Sequence, residues 1–355
     1  MIEQGHLADG PVGRKAIDGL IEAAEGNPRA MVQLARTLLL PAQQTEEARE
    51  LTKRAMALSN DDPELRAMAR MVLNHGAQRF YFSMVRDSNR HALYVQALQK
   101  LLRPGSTVLD IGAGTGLFAM LAAREGASLV TACESALPVA DAARGVVERN
   151  GLSDRVNLIA KSSNQLEVGV DMDERADVLI WDNLSNDLIG AGGIETLEDA
   201  RERLLKPDAI IIPGRVEICA ALAETGQISR RAMTDVEGFD LSPFNDVLDK
   251  VATTSANYDI RSKPVVLYDF DFRSGQDHRR GISRQTTETI AGPVDGIVQW
   301  LRFHLAPGVV YDTSAKSVRA FGQKFHPVTP FEATDGVERI ICANRDARHI
   351  WMWLE

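Results

Sequence analysis

A chain of 355 residues is long enough for two or three compact units with a substantial buried core. Its 40 Lys plus Arg against 49 Asp plus Glu leave a formal net charge of −9, and no dense basic run offers a stripe for phosphates, so nucleic acid is not an expected partner. Cys133, Cys219 and Cys342 form no CxxC pair and the amino terminus lacks a leader-like apolar run, so we expect a reducing cytoplasm, with no metal site, disulfide framework or membrane insertion.

Residues 1–75 are predicted to be helical. Ala30-Met-Val-Gln-Leu-Ala-Arg-Thr-Leu-Leu39 and Glu46-Glu-Ala-Arg-Glu-Leu-Thr-Lys-Arg-Ala-Met-Ala-Leu58 set apolar side chains at three- and four-residue spacing, the pattern of antiparallel helical hairpins. Glu47-Ala-Arg-Glu-Leu, Arg54-Ala-Met-Ala-Leu and Asp61-Asp-Pro-Glu resemble the second helix of a tetratricopeptide repeat and the turn after it. Such arrays need about three units to bury a continuous core. A helical cap on the rest of the chain is an equal expectation.

Residues 76–212 change texture. Short apolar runs, Thr107-Val-Leu-Asp-Ile, Ser128-Leu-Val-Thr-Ala-Cys, Val156-Asn-Leu-Ile-Ala, Ala176-Asp-Val-Leu-Ile-Trp and Ala209-Ile-Ile-Ile, alternate with helical stretches and predict a parallel, doubly wound, Rossmann-like sheet. From 213 to 355, runs such as Val265-Val-Leu-Tyr-Asp-Phe-Asp-Phe and Gly296-Ile-Val-Gln-Trp-Leu-Arg-Phe-His-Leu305 predict an antiparallel sheet or β-barrel. The fold class is thus α/β plus β, behind an amino-terminal helical segment. Trp351 and Trp353 alternate at strand period and are expected on a strand that closes the barrel, while His304 and His326 are expected to be structural.

Ligands of a doubly wound sheet sit at the carboxyl ends of its strands, where Val108-Leu-Asp-Ile-Gly-Ala-Gly-Thr-Gly-Leu117 makes the first turn. Gly112 and Gly114 let backbone pass close beneath a ligand. Asp110 would repel a pyrophosphate and suits a cationic ligand such as S-adenosyl-L-methionine. Glu134, ending the second run, is the candidate for the ribose hydroxyls, and Ser162, in Lys161-Ser-Ser163, for the adenine edge.

The segment Arg79-Phe-Tyr-Phe-Ser-Met-Val-Arg-Asp-Ser-Asn-Arg-His-Ala-Leu-Tyr94 resembles the entrance of protein arginine methyltransferases, above all the seventh and ninth vertebrate types. The likeness runs on through Asn183-Leu-Ser-Asn-Asp-Leu-Ile-Gly-Ala-Gly-Gly-Ile194, Leu205-Lys-Pro-Asp-Ala-Ile-Ile-Ile-Pro-Gly-Arg215 and Asp235-Val-Glu-Gly-Phe-Asp-Leu-Ser242, covering about residues 79–330. The resemblance implies S-adenosylmethionine as methyl donor, Met84 beside the reacting methyl, Arg90 on the cofactor carboxylate, and a β-barrel with a helical dimerisation arm near residues 225–255. The same likeness implies a dimer or a pseudo-dimer, with a homodimer expected.

The acceptor half departs from the family. Where two Glu would grip the guanidinium, this chain has Asp182 and Ala191, with Asp187 or Glu195 as neighbouring acids that compensate. Where the family has a His-Trp pair in its barrel loop, Ala320-Phe-Gly-Gln323 stands instead. We therefore expect N-methylation of an arginine guanidino group, with free L-arginine, on its δ nitrogen, or a related small molecule of a biosynthetic pathway favoured as acceptor. A protein arginine methyltransferase is the alternative, and a catalytically inactive cofactor-binding or dimerisation module is a third reading, against which the complete cofactor cradle argues.

Overall fold

A computed structural model describes residues 11–355, apart from 60–61, 77–79, 183, 187, 190–191, 227–232, 248–251, 255–257, 275–279, 315–319 and 347. The chain divides into two compact units, Met1–Gln78 with Ala136–Ala142, and Arg79–Ser135 with Ala143–Glu355.

The first unit contains α1 (Pro11–Ala24), α2 (Pro28–Leu34), a π-helical turn at Ala35–Leu39, α3 (Thr45–Leu58) and α4 (Pro63–Leu73). Asn27 and Asp62 cap α2 and α4, accepting hydrogen bonds from amides of the first turn, and a proline with preset φ follows each cap. Met31, Val32, Leu39, Leu51, Leu65 and Val72 form its dry core. Met31, Val32, Leu39 and Leu51 lie in the two runs read at helical spacing, and α4 adds Leu65 and Val72.

The second unit opens with α5 (Phe80–Met84) and α6 (Ser88–Leu101), then alternates β1 (Thr107–Ile111), α7 (Leu117–Arg124), β2 (Leu129–Cys133), α8 (Leu137–Arg149, whose first six residues are counted with the first unit), β3 (Val156–Ile159), β4 (Ala176–Trp181), α9 (Gly193–Arg203) and β5 (Leu205–Ile212). The strands lie in the order β3-β2-β1-β4-β5, all parallel. Strand order reverses between β1 and β4, so the crevice for ligands opens at the carboxyl ends of those two strands.

The remainder is antiparallel β structure: β6 (Arg215–Glu224), β7 (Asp235–Val236), β8 (Phe239–Asp240), β9 (Ala252–Thr254), β10 (Asp259–Ile260), β11 (Val265–Asp271), β12 (Gly281–Glu288), β13 (Gly292–Ala306), β14 (Val309–Asp312), β15 (Gln323–Ala333), β16 (Glu338–Arg345) and β17 (Ile350–Leu354). Its main sheet runs β10-β6-β13-β15-β9. β6 is buried without interruption from Val216 to Ala223, which requires cover on both faces. A side chain on Gly296 of β13 would lie 2.0 Å from the Phe325 ring, so only glycine lets β13 and β15 approach this closely.

Two expectations are corrected. β17 is the edge of a separate three-stranded sheet, β12-β16-β17, and Trp351 and Trp353 are partly exposed there, so they do not close a barrel. In the arm, the described residues form the β7-β8 hairpin, a 3-10 turn at Ser242–Val247 and β9, where helix was expected, while residues 227–232, 248–251 and 255 of that stretch lie outside the described residues. Glu237 and Gly238 both take positive φ, which makes the two-residue hairpin turn and stops a helix.

Candidate active site

The turn after β1 has the conformation its composition required, with Gly112, Gly114 and Gly116 at φ of +72°, +55° and +77°. A Cβ on Gly114 would stand 3.3 Å from the ring of Tyr81, on α5, so the turn is covered from that side. Glu134, just past β2, accepts a 3.0 Å hydrogen bond from the Gly114 amide. Burial and the neighbouring Glu134 push the Tyr81 phenol up to about 12. Asp110 is buried at the end of β1, and its Oδ2 has no hydrogen-bond partner. Burial raises its carboxyl to about 7, with the Ala119 amide and Arg90 pulling it down and Glu134 pushing it up.

Asp87 caps α6, and its Oδ1 accepts a 3.0 Å bond from the Arg90 amide. Its Oδ2 accepts from the Tyr311 hydroxyl on β14 at 2.7 Å and from the Ala320 amide at 3.4 Å. That cap fixes the start of the helix from which Arg90 reaches into the crevice. The Arg90 guanidinium lies 4.5 Å from the centroid of Phe118, on which Tyr94 also stacks at 4.2 Å.

Arg90 forms a buried ion pair with Asp182, which follows β4 directly. Tyr94 donates a 2.6 Å hydrogen bond to the other oxygen of Asp182. Arg90 also donates to the Met84 carbonyl at 3.3 Å, while its buried Nε has no partner. Burial draws Arg90 below the ordinary guanidinium range, with the nearby acidic groups opposing it, and pushes Tyr94 well above the phenol range. The crevice therefore holds an ion pair with one donor, Arg90 Nε, to spare, beside a carboxylate with one acceptor, Asp110 Oδ2, to spare.

Asp110, Gly112, Gly114, Glu134, Arg90 and Asp182 come together on this crevice. Met84 is half-buried at the end of α5, its carbonyl also 3.2 Å from His91 Nε2. Ser162 is half-buried and forms a capping box with Gln165 over a 3-10 turn at Ser163–Gln165. Glu195 is exposed in the first turn of α9. Asp187 and Ala191 lie outside the described residues. The loop after β4 meets the loop before β15 through Asn186, whose Oδ1 accepts a 3.0 Å bond from the Gly322 amide. His326 lies 2.9 Å from Gln299 Oε1, and His304 lies 3.4 Å from Glu217. Among the described residues no group of His, Cys, Asp and Glu is arranged to hold a metal ion.

Sequence reasoning gave no role to Asp87 and Tyr94, which it met only within the segment that carries the family likeness, and passed over Tyr311. The first two carried a signal, since an Asp three residues before Arg90 is a helix cap and a Tyr four residues after it shares its helical face. Tyr311 carried none.

Residues 90–214 match the family described as Ribosomal protein L11 methyltransferase (PrmA). An Arginine N(omega)-methyltransferase from Streptomyces achromogenes subsp. streptozoticus is 29% identical over 286 residues, covering 78% of this chain and 79% of that protein. Protein arginine N-methyltransferase 7 from Oryza sativa subsp. indica is 31% identical over 67% of this chain, and from Drosophila willistoni 32% over 61%. This chain spans only 37% and 35% of the length of those two relatives. Among solved structures, the Trypanosoma brucei PRMT1 enzyme-prozyme heterotetrameric complex with AdoHcy superposes with a TM-score of 0.66 at 22% identity, over 76% of this chain and 88% of that one. PRMT6-SAH gives 0.59 at 18% identity, over 77% and 97%. At these identities the likeness is one of fold.

Proposed function

We propose, from the premise that this chain is a homologue of the arginine N-methyltransferases and carries a PrmA-type methyltransferase domain, that it is an S-adenosylmethionine-dependent N-methyltransferase acting on an arginine guanidino nitrogen. The observation that carries the reading is the buried carboxylate of Asp182, held by Arg90 and Tyr94 at the mouth of the β1-β4 crevice beside the glycine turn.

The residues present fit that cofactor. Arg90 Nε and Asp110 Oδ2 are a buried donor and a buried acceptor without partners, matching the carboxylate and the cationic groups of an amino-acid end. Glu134 would take the ribose hydroxyls, Ser162 the adenine edge, and Met84 the neighbourhood of the sulfonium. S-adenosylmethionine supplies a methyl group on a positively charged sulfur. Asp182 accepts hydrogen bonds from the acceptor guanidinium and draws its positive charge toward the nitrogens it touches, which leaves the remaining nitrogen more nucleophilic. Tyr94 and Arg90 fix the orientation of that carboxylate, so the acceptor nitrogen is aimed along the line of displacement.

We favour free L-arginine or a related small molecule as acceptor. Support comes from the Streptomyces relative, which matches over most of both chains and whose name specifies arginine and its ω nitrogen. That name ranks the ω position ahead of the δ position expected from the altered acceptor loop. Protein side chains are the second reading, favoured by the type 7 relatives. A homodimer is supported by the apolar side chains that the arm presents to solvent, Val236, Phe239 and Phe244. The three thiols are free and buried and no described helix is long and apolar enough to cross a membrane, in keeping with a cytoplasmic enzyme.

The test is to incubate the purified protein and S-adenosylmethionine with L-arginine and, separately, with Arg-Gly-rich peptides, locating added methyls by fragment-ion mass spectrometry. Methylated arginine is the expected product. Methyl on the peptides alone would establish the second reading, and methyl on neither would overturn the proposal.

A further inference from the structure

We infer that Arg90 and Asp182 make the binding of cofactor and acceptor mutually reinforcing, one guanidinium serving both carboxylates. The inference rests on the function proposed above. Arg90 is 4% exposed, so water cannot neutralise it, and its partner is Asp182. The guanidinium presents Nη2 to Asp182 and keeps the neighbouring Nε, on its side-on edge, buried and unpartnered. A ligand carboxylate drawn to that edge shares the positive charge, and Asp182 is left more negative in a site of low dielectric. An acceptor guanidinium then finds a stronger partner. Conversely, a cation on Asp182 loosens its hold on Arg90 and strengthens Arg90 toward the ligand carboxylate, the reciprocity that linkage requires. Tyr94 contributes a neutral donor to the other oxygen of Asp182 and keeps the carboxylate oriented as Arg90 is shared.

The experiment uses the full chain and calorimetric titration of S-adenosylhomocysteine, with and without saturating L-arginine or an Arg-Gly-rich peptide. The same titration with 5′-methylthioadenosine, which lacks the amino-acid end, is the control. The acceptor is expected to tighten S-adenosylhomocysteine by about 5-fold or more and to leave 5′-methylthioadenosine unchanged. Asp182→Asn is expected to bind S-adenosylhomocysteine without any response to acceptor. Arg90→Lys, which keeps the charge and loses the fork, is expected to reduce the coupling to less than about half, and serves if the Asp182 variant fails to fold. Equal S-adenosylhomocysteine affinity with and without either acceptor, or equal tightening of both ligands, would overturn the inference. Methyl transfer without coupling sinks this inference alone, whereas a protein that binds no S-adenosylhomocysteine sinks the proposed function and the inference together.

Discussion

Below neutral pH the buried carboxyl of Asp110 holds its proton, because burial lifts it to about 7. A neutral acid attracts a cationic ligand less than a carboxylate does, so affinity for S-adenosylhomocysteine, through its ammonium, is expected to rise as pH passes upward through about 7. Asp110→Asn should flatten that profile in the same titration. The folded-state value lies above the ordinary carboxylate value, so the cost of ionising Asp110 is absent in acid and complete above neutrality. Asp110→Asn is therefore expected to raise stability at pH 8, by on the order of 1 to 3 kcal/mol, and to do little at pH 4, as followed by thermal melts. Asp182→Ala should lower turnover by about 100- to 1000-fold, as removal of a charge-stabilising group does. Its cofactor affinity should be retained, since the loss leaves Arg90 free for a ligand carboxylate. The placement of Asp110, Gly112, Gly114 and Glu134 around the carboxyl ends of β1 and β2 was legible in the sequence because it depends only on position relative to strand ends. Tyr311 was not, since its bond to Asp87 joins residues 224 positions apart and no local pattern marks either partner for the other.

Among the elements, the strands of the parallel sheet were the most readable, because buried parallel strands appear as unbroken apolar runs. The exception is the start of β5, where Lys206, Pro207 and Asp208 hide a strand that begins at Leu205. The hairpin in the arm was missed for the opposite reason. Its turn is Glu-Gly, without the Asn or Asp that usually announces paired positive φ values. Close approach of two strands leaves a single-residue signature, Gly296, that only the packing explains. Gly296→Ala would drive its methyl into Phe325 and is expected to destabilise the protein by about 1 to 3 kcal/mol in denaturant titration.

For the whole molecule, the described arm carries solvent-exposed Phe239 and Phe244, 71% and 59% accessible, on a short hairpin and its following turn. Isolated two-stranded hairpins are marginal in water, and the proposed homodimer would cover these side chains with a second copy. Replacing both with Ser is expected to convert a dimer to a monomer in light scattering coupled to size-exclusion chromatography. An unchanged mass would show that the association lies elsewhere or does not occur. No pattern in the sequence distinguished these two Phe from core residues, since exposure of an apolar side chain is a property of the assembled surface.

The cap at Asp87 limits how this architecture can be recombined. The carboxylate that starts α6 takes one bond from its own helix and two from the β structure, through Tyr311 and the Ala320 amide. A chimaera that kept residues 79–212 and borrowed the following β region from a relative would sever both distant bonds unless the donor supplied a hydroxyl and an amide in the same places. Transplanting specificity in this fold is therefore a matter of matching one buried carboxylate, before any residue that touches the acceptor is chosen.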